Sequence, residues 1–452
     1  MLTTIRNAWK IKDLRRKILF TLLIILLYRI GNVIPVPYIN AELLKELFNS
    51  TLNNTILGLY NVMSGSALAN GTILALSIQP YINASIIIEL LCIAIPALER
   101  LQKEGGEEGR KKIASITRYS TVALGLLMGF AYWMMLKNYN ASYYNNQLLV
   151  NDGFLAAITV ILTFGAGSAL VMWLGEQITE FGIGNGISMI LFANIISRLP
   201  SMVQELIQFS ASKFHESAAT GWSWIWFPIV VVIAMLALVV FIVFITQAER
   251  RIPVSYAKRT VGRKVYGGQN THLPIKVNMS GVLPVIFAQS VISLPETIVT
   301  FLGKSMPGFL SSRSVIYCVI YALLIIAFSY FYATIQYNPV EIANNLRKNG
   351  GFVPGYRPGK PTSDFIHKTI NKITLFGAIF LGIVALIPMV AGIFTQNYNL
   401  AHEAEITAGT LSRLPSIAVG GTSIIIVVGV ALETVQAMEA QMLMRHYKGF
   451  LE

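Results

Sequence analysis

The sequence predicts an all-α integral membrane protein, and three observations support this fold class. Of the 452 residues, 54% are hydrophobic and only 13% are charged, and the mean hydropathy is +0.60. Soluble domains carry about 25% charged residues, so a soluble chain of this composition could not bury its apolar surface. The apolar residues form continuous runs, whereas the strands of a transmembrane β-barrel alternate polar and apolar residues.

The runs predict ten transmembrane helices, because each is close to the roughly 20 residues that cross the hydrocarbon core of a bilayer. We number them spans 1 to 10 in chain order: 18–36, 74–95, 115–136, 154–175, 184–199, 224–246, 279–299, 315–335, 373–392 and 417–435. Span 1 follows a basic stretch, but no small-residue cleavage site follows it, so we interpret it as a retained helix. Cys92 and Cys318 both lie within apolar runs, which excludes a secreted disulfide scaffold.

The basic residues predict that both termini, segment 1–17 and tail 436–452, face the cytoplasm. When each Lys and Arg is counted with its nearest loop, 27 of the 35 lie on the side of the termini and 7 on the other, while Arg29 lies within span 1. Cytoplasmic loops of membrane proteins carry the excess of Lys and Arg. The formal net charge of +13 is therefore explained by topology without invoking a nucleic-acid ligand.

Two of the predicted cytoplasmic loops, residues 247–278 and 336–372, are long and rich in charge and turn residues. Short β-prone pieces such as Ile252–Tyr256 indicate that these loops are ordered protrusions. Docking of a cytoplasmic partner and contact with anionic lipid headgroups are equally consistent with such loops.

Ten spans divide into two halves of five, 18–199 and 224–435, joined by an outer loop at 200–223. An odd number of spans per half places the halves in opposite orientations, the pattern of inverted repeats that pack around a midplane site. Spans 2 and 7 occupy matching places, and each contains proline and amide residues. We interpret both as interrupted helices beside a shared pathway; two kinked packing helices are the alternative.

Residues 57–73 precede span 2 and are too short and polar to cross a membrane, yet too apolar for a solvated loop. Two structures are consistent with this composition. One is a short helix folded back into a cavity, and the other is an interfacial helix on the outer leaflet.

Catalytic motifs are missing from the sequence. No Walker A, HExxH or GxSxG pattern occurs, and the glycines of EFGIGNGIS at 180–188 follow a membrane helix where a dinucleotide loop would follow a strand. We therefore expect no enzyme activity, no metal and no cofactor. Glu89 and Glu433 lie near the cytoplasmic ends of their spans, whereas ion-coupled transporters place carboxylates near the midplane. A secondary transporter with inverted repeats is the alternative function, and an ion channel is a second one.

Six segments in order and at matching spacing resemble the SecY family of protein-conducting channels. They are SIQPYINASIIIELL at 77–91, LERLQKEGGEEGRKKI at 98–113, GEQITEFGIGNGISMILFANII at 175–196, THLPIKVNMSGVLPVIFAQS at 271–290, NGGFVPGYRPG at 349–359 and QMLMRHYKG at 441–449. The resemblance implies a clamshell of two five-helix halves around a pore in the cytoplasmic (inner) membrane. It also implies that unfolded preproteins pass through this pore, or leave it sideways into lipid.

The resemblance assigns roles to particular residues. The implied pore ring consists of Ile82, Ile86, Ile187, Leu191, Ile286 and Ile426. The implied plug is segment 57–73, with Leu57, Tyr60, Met63, Ser64, Gly65 and Ser66. The implied lateral gate runs between spans 2 and 7 and includes Gln79, Asn83, Gln289 and Ser290. Leu191 departs from the commoner isoleucine of the family but has the same volume, so the ring should still seal.

The resemblance also implies partners. SecE and SecG are the expected partner subunits, and the SecA motor or a translating ribosome is expected to dock on the two long loops. Signal sequences, unfolded preproteins and membrane lipid complete the expected set. The implied docking residues are Arg250, Arg251, Lys258, Arg259 and Arg357. The phosphates of ribosomal RNA would be attracted to these cations.

Overall fold

A computed structural model describes residues 2–50, 52, 56–143, 147–216, 221–256, 259–261, 264–266, 270–279, 281–301, 314–401 and 421–448. The chain separates into two compact units. Unit 1 consists of Met1–Gln208, Ser293–Ser314 and Gly429–Glu452, and unit 2 consists of Phe209–Ile292 and Val315–Val428.

Unit 1 is helical. Its elements are α1 (Leu2–Lys10), α2 (Lys12–Gly31), α3 (Ala41–Ser50), α4 (Ile56–Met63), α5 (Gln79–Ala94), α6 (Pro96–Lys103), α7 (Gly106–Tyr143), α8 (Phe154–Phe181) and most of α9 (Gly186–Glu216). The end of α11 (Leu283–Phe301) and most of α15 (Gly421–Lys448) belong to the same unit. Its largest described core packs α3 and the segment around α4 against α7 and α8.

Unit 2 combines helices with a small sheet. Its helices are α10 (Gly221–Gln247), the start of α11, α12 (Val315–Gln336), α13 (Pro339–Lys348) and α14 (Lys360–Ala401). Its strands are β1 (Glu249–Tyr256), β2 (Arg259–Val261), β3 (Lys264–Tyr266), β4 (Asn270–Lys276) and β5 (Gly351–Phe352).

A helix occupies each of the ten predicted spans, which confirms the all-α membrane class. Within the described residues, seven helices are long and apolar enough to cross a bilayer, or eight if the bent pair α5–α6 counts as one. The apolar part of α11, Leu283–Val299, falls among the shorter helices, and α2 has charged residues in its first turns. The number of ten spans therefore stays a prediction.

Pro80 and Pro284 do not interrupt helices, so this part of the sequence interpretation was wrong, whereas Pro295 of span 7 does lie inside α11. Pro80 lies in the first turn of α5 and Pro284 in the first turn of α11. A proline is tolerated there because the first amides of a helix have no partner within the helix. Residues 74–78, predicted to be part of span 2, form turns instead.

Several helices are longer than the apolar runs that predict them. Helix α9 continues to Glu216 with Pro200 inside it, so most of the predicted outer loop 200–223 is helical. Helix α14 begins at Lys360, within the predicted loop 336–372, and α13 lies in the same loop. The apolar run marks only the residues suited to hydrocarbon, whereas intrahelical hydrogen bonds continue until a residue ends them.

The two long loops of unit 2 share one three-stranded antiparallel sheet in the order β4-β1-β5. Residue Arg250 pairs with Ile275 in the first loop, and Ser255 pairs with Phe352 of the second loop. A common core lies against this sheet and includes Ile252, Val353 and Ile366. The prediction that these loops are ordered is thus confirmed for the described residues, and the loops form one structure.

Gly167 of α8 tests the packing of unit 1. A Cβ atom at Gly167 would overlap the backbone carbonyl oxygen of Ile73, whereas a Cβ at Gly382 of α14 would meet nothing within 4 Å. Gly167→Ala should therefore lower stability by about 1–3 kcal/mol, the usual cost of overpacking a core. Gly382→Ala should leave stability unchanged or slightly raised, because alanine favours helix. Thermal unfolding of the two variants in detergent measures this difference, and equal unfolding temperatures would contradict it.

Candidate functional site

The segment 57–73 is buried inside unit 1, although it is too short to span a membrane. Helix α4 covers its first part, and turns continue from Ser64 to Ile78. Leu57 is 1% exposed, Tyr60 7% and Met63 8%. An interfacial helix would expose one whole face, so this burial favours the alternative of a helix folded back into the protein.

Tyr60 attaches α4 to the end of α11. The hydroxyl of Tyr60 lies 2.9 Å from the hydroxyl of Ser293 and 3.4 Å from that of Thr297. Thr297 also donates to the backbone oxygen of Ser293 at 2.7 Å. All of these groups are buried, and Glu296 of α11 is buried near them, so the contact belongs to a small polar cluster.

Asn194 of α9 attaches the C-terminal end of α4. Its Nδ2 donates to the backbone oxygen of Met63 at 2.8 Å and to the hydroxyl of Tyr28 at 2.9 Å. It also lies 3.3 Å from the hydroxyl of Ser77, which is itself 2.9 Å from that of Tyr28. Asn194 is fully buried. Four separated parts of the chain therefore meet at this amide.

Gly65 follows α4 and lies against the side chains of the same hydrogen-bond network. Its φ of +68° lies in the left-handed region, which side chains with a Cβ adopt only with strain. A Cβ at Gly65 would lie 2.8 Å from Nη1 of Arg29 and 3.0 Å from Oδ1 of Asn194. Arg29 in turn donates from Nη2 to the backbone oxygen of Ala193 at 2.6 Å. The chain passes so close to these side chains that only glycine fits without displacement.

Residues 64–73 are held by hydrogen bonds that involve their backbone. The Tyr132 hydroxyl donates to the oxygen of Leu68 at 3.0 Å, and the amide of Val36 donates to the oxygen of Gly71 at 2.8 Å. The amide of Ile73 donates to the oxygen of Ile34 at 3.0 Å. Hydrogen bonds to its backbone atoms thus fix this part of the segment to the rest of unit 1.

A pocket of about 400 Å³, which includes space open to solvent, lies beside α4. It brings the predicted plug residues Leu57, Tyr60, Met63 and Ser64 together with other positions that the sequence analysis selected. These are Gln79, assigned to the gate, and Leu191, assigned to the ring.

The predicted ring positions lie in both units. In unit 1, Ile82 and Ile86 are buried one turn apart on α5, and on α9 Leu191 is buried while Ile187 is half-buried. In unit 2, Ile426 is buried and Ile286 is half-buried. Among the predicted gate residues, Gln79, Gln289 and Ser290 are buried, and Asn83 is half-buried. None of these ring and gate side chains carries a charge.

Among the predicted docking residues, Arg250 and Arg251 lie on β1, and Arg357 follows β5 in the chain. Arg250, Arg251 and Arg357 are exposed, and Arg251 makes a solvated ion pair with Glu249 at 2.7 Å. Arg259 begins β2, and Lys258 lies outside the described residues. The rings of Tyr356 and Phe365 stack with their centroids 4.3 Å apart. This contact orders the loop next to Arg357.

Several residues of the buried network are not among the predicted site residues. Tyr28, Ser77 and Asn194 were not selected, although an asparagine in the apolar run MILFANII of span 5 is the kind of polar residue that marks a buried contact. Glu296 was also missed; it lies within span 7 and is 4% exposed. Glu296 could have been found from the sequence, because a carboxylate within a predicted membrane helix indicates a buried polar contact.

Comparisons with known proteins agree with this architecture. The model of the SecY family matches residues 72–435. A protein translocase subunit SecY from Streptomyces scabiei is 40% identical over 462 aligned positions, which cover 100% of both chains. Among solved structures, a protein-conducting channel superposes with a TM-score of 0.63 at 17% identity, covering 94% of this chain and 91% of that one.

A second solved structure is the Sec61 channel of the canine ribosome-channel complex from the endoplasmic reticulum. It superposes with a TM-score of 0.60 at 16% identity and covers 94% of this chain and 91% of that one. The relatives are thus channels, and the alternative of a secondary transporter has no support among them.

Gly65 allows a test of the close approach at the end of α4. Gly65→Ala adds backbone strain and also a Cβ against Arg29 and Asn194, whereas Gly106, with φ +55°, has open space around it. Gly106→Ala therefore measures the strain alone, about 1–2 kcal/mol. Gly65→Ala should cost about 1–3 kcal/mol more, because the crowded side chains must move. Thermal unfolding of both variants gives the difference; a smaller loss for Gly65→Ala than for Gly106→Ala would refute the crowding.

Proposed function

Because this chain belongs to the SecY family of protein-conducting channels, we propose that it is the central pore-forming subunit of a Sec translocon. It passes unfolded preproteins across the cytoplasmic membrane, or sideways into the lipid. It catalyses no covalent reaction, so the energy for transport comes from a partner. Both termini face the cytoplasm, which the excess of basic residues on that side supports.

The observation that carries this proposal is the burial of segment 57–73 beside Leu191. A short helix held in the interior by a few hydrogen bonds suits a plug that closes a channel and is displaced when the channel opens. The core of a transporter is formed by helices that cross the membrane, so it would not need a separate segment that does not cross it.

The pore ring consists of Ile82, Ile86, Ile187, Leu191, Ile286 and Ile426. A narrow apolar collar expels water and so blocks ions, yet it has no charge that would bind a passing polypeptide. Support comes from α5 and α11, because Ile82 and Ile286 each lie two residues after a proline in the first turn of their helix. This match is consistent with equivalent places in two repeats.

The lateral gate is formed by spans 2 and 7, with Gln79, Asn83, Gln289 and Ser290. A signal sequence is an apolar helix and reaches lipid only if the wall of the channel parts. Buried amides and hydroxyls weaken an apolar contact, which keeps the closed and open states a few kcal/mol apart.

The sheet of unit 2 is the docking site for a ribosome or a SecA motor, and SecE and SecG complete the complex. Both long loops contribute strands to this sheet, Arg250 and Arg251 are exposed on β1, and Arg357 is exposed in the loop that follows β5. A rigid platform transmits force from a partner better than two separate loops would. The cations attract the phosphates of ribosomal RNA or acidic residues of a motor.

Replacing Ile86 and Ile286 together with Asn tests the pore ring. Two amides should hydrate the collar and raise the resting ion conductance, because sealing depends on the absence of polar groups. Planar bilayer recordings of the purified double variant measure the change. The control replaces the exposed Leu22 and Leu323, which are outside the proposed ring, with Asn. A double variant that conducts no more than wild type would remove Ile86 and Ile286 from the ring.

Arg357→Glu tests docking. The residue is exposed, so the fold should lose less than about 0.5 kcal/mol. Translocation driven by the partner should nevertheless fall, while expression and association with SecE stay normal. Lys111→Glu makes the same charge change at an exposed position in unit 1, outside the proposed platform, and should translocate normally. Equal translocation by the two variants would contradict a docking role for Arg357 and leave it as a solvated turn residue.

A further inference from the structure

Helix α4 is held at Tyr60 and, one turn later, at its C-terminal end by different kinds of hydrogen bonds. At Tyr60 the contact joins side-chain hydroxyls only. At Met63 the acceptor is the backbone oxygen of α4 itself, and Asn32 adds a weaker bond of 3.4 Å to the backbone oxygen of Ser64. This difference decides which contact can be released first.

Release at Tyr60 is easy. A rotation about side-chain bonds withdraws the phenol hydroxyl without moving the backbone. Thr297 then keeps its bond to the backbone oxygen of Ser293, so its hydroxyl stays satisfied. Ser293 and Thr297 also lie on α11, the helix that we assign to the lateral gate, so movement of this helix pulls on the Tyr60 contact first.

Release at Met63 is difficult. Its backbone oxygen can leave Asn194 only if the chain moves, and the buried amide would then lose one of its acceptors. The residues that follow are fixed through the Tyr132 contact to Leu68 and the Val36 contact to Gly71. Between these points Gly65 and Ser66 have φ of +68° and +71°, a tight turn at which the chain changes direction.

We propose that Asn194 is a positioning residue that keeps the C-terminal end of α4 in place while the channel opens. Helix α4 then swings about Met63–Ser66 when Tyr60 releases α11, and it does not detach. In this swing Oδ1 of Asn61 gives up its bond from the Ala69 amide. This inference rests on the proposed function of segment 57–73 as a plug. The swing carries Leu57 and Tyr60 out of the core, while Met63 stays bonded to Asn194.

Two chemical crosslinks test the swing. The pairs are Tyr60→Cys with Thr297→Cys, and Met63→Cys with Asn194→Cys, each in a chain in which Cys92 and Cys318 are replaced by Ser. A short bifunctional thiol reagent joins each pair in membrane vesicles that contain the assembled complex. Preprotein translocation is measured before and after crosslinking. The Tyr60–Thr297 crosslink should stop translocation, while the Met63–Asn194 crosslink should leave it intact.

The other outcomes distinguish a failure of this inference from a failure of the proposed plug function. If both crosslinks stop translocation, the segment moves as a plug but detaches at Met63, and the role of Asn194 is refuted. Arrest by the Met63–Asn194 crosslink alone refutes it too. If neither crosslink affects translocation, segment 57–73 is not a plug, and the inference fails together with that part of the proposed function.

A second measurement does not depend on cysteine variants that fold. Tyr60→Phe removes the releasable contact, and Tyr132→Phe removes one hydroxyl bond on the fixed side, to Leu68. The loss of one buried hydrogen bond shifts an equilibrium by about tenfold, so Tyr60→Phe should raise the resting conductance by about that factor. Tyr132→Phe should stay at the wild-type value. Equal conductance of the two variants would refute the asymmetry.

Discussion

The need to pair buried backbone groups governs unit 1. A segment that folds back into the interior of a membrane protein leaves amides and carbonyls that no water can reach, and each unpaired group is costly. Here the pairing comes from other parts of the chain: Asn194 binds the oxygen of Met63, Tyr132 binds that of Leu68, and Val36 binds that of Gly71. The close approach that this pairing requires leaves room only for a hydrogen at Gly65.

The same constraint gives the segment two different attachments. Bonds to backbone oxygens fix residues 63–73, whereas Tyr60 is attached through hydroxyls that can exchange partners. In the proposed function, this arrangement lets the channel open without breaking every contact that orders the segment. The proposed apolar ring would complement it by blocking ions without binding the substrate.

In unit 2 the notable feature is the sheet that joins the two long loops. A single loop on a membrane protein would bend when a partner pushed on it. Pairing of β1 with both β4 and β5 joins the two loops, and their shared core connects them to α13 and α14. If a partner docks at Arg357 as proposed, these contacts connect its docking site to helices of the unit.

The class of the protein and the places of its apolar helices could be predicted from the amino-acid sequence, because the hydrocarbon core requires apolar residues. The sequence also contained enough of the family's segments to predict the channel. It misjudged Pro80 and Pro284, since the same residue kinks a helix or begins one according to where the first turn lies. Only the tertiary structure decided that Asn194 meets Met63, because that bond joins residues 131 positions apart in the chain. No local pattern encodes such a contact; it exists because packing places one amide beside one backbone oxygen.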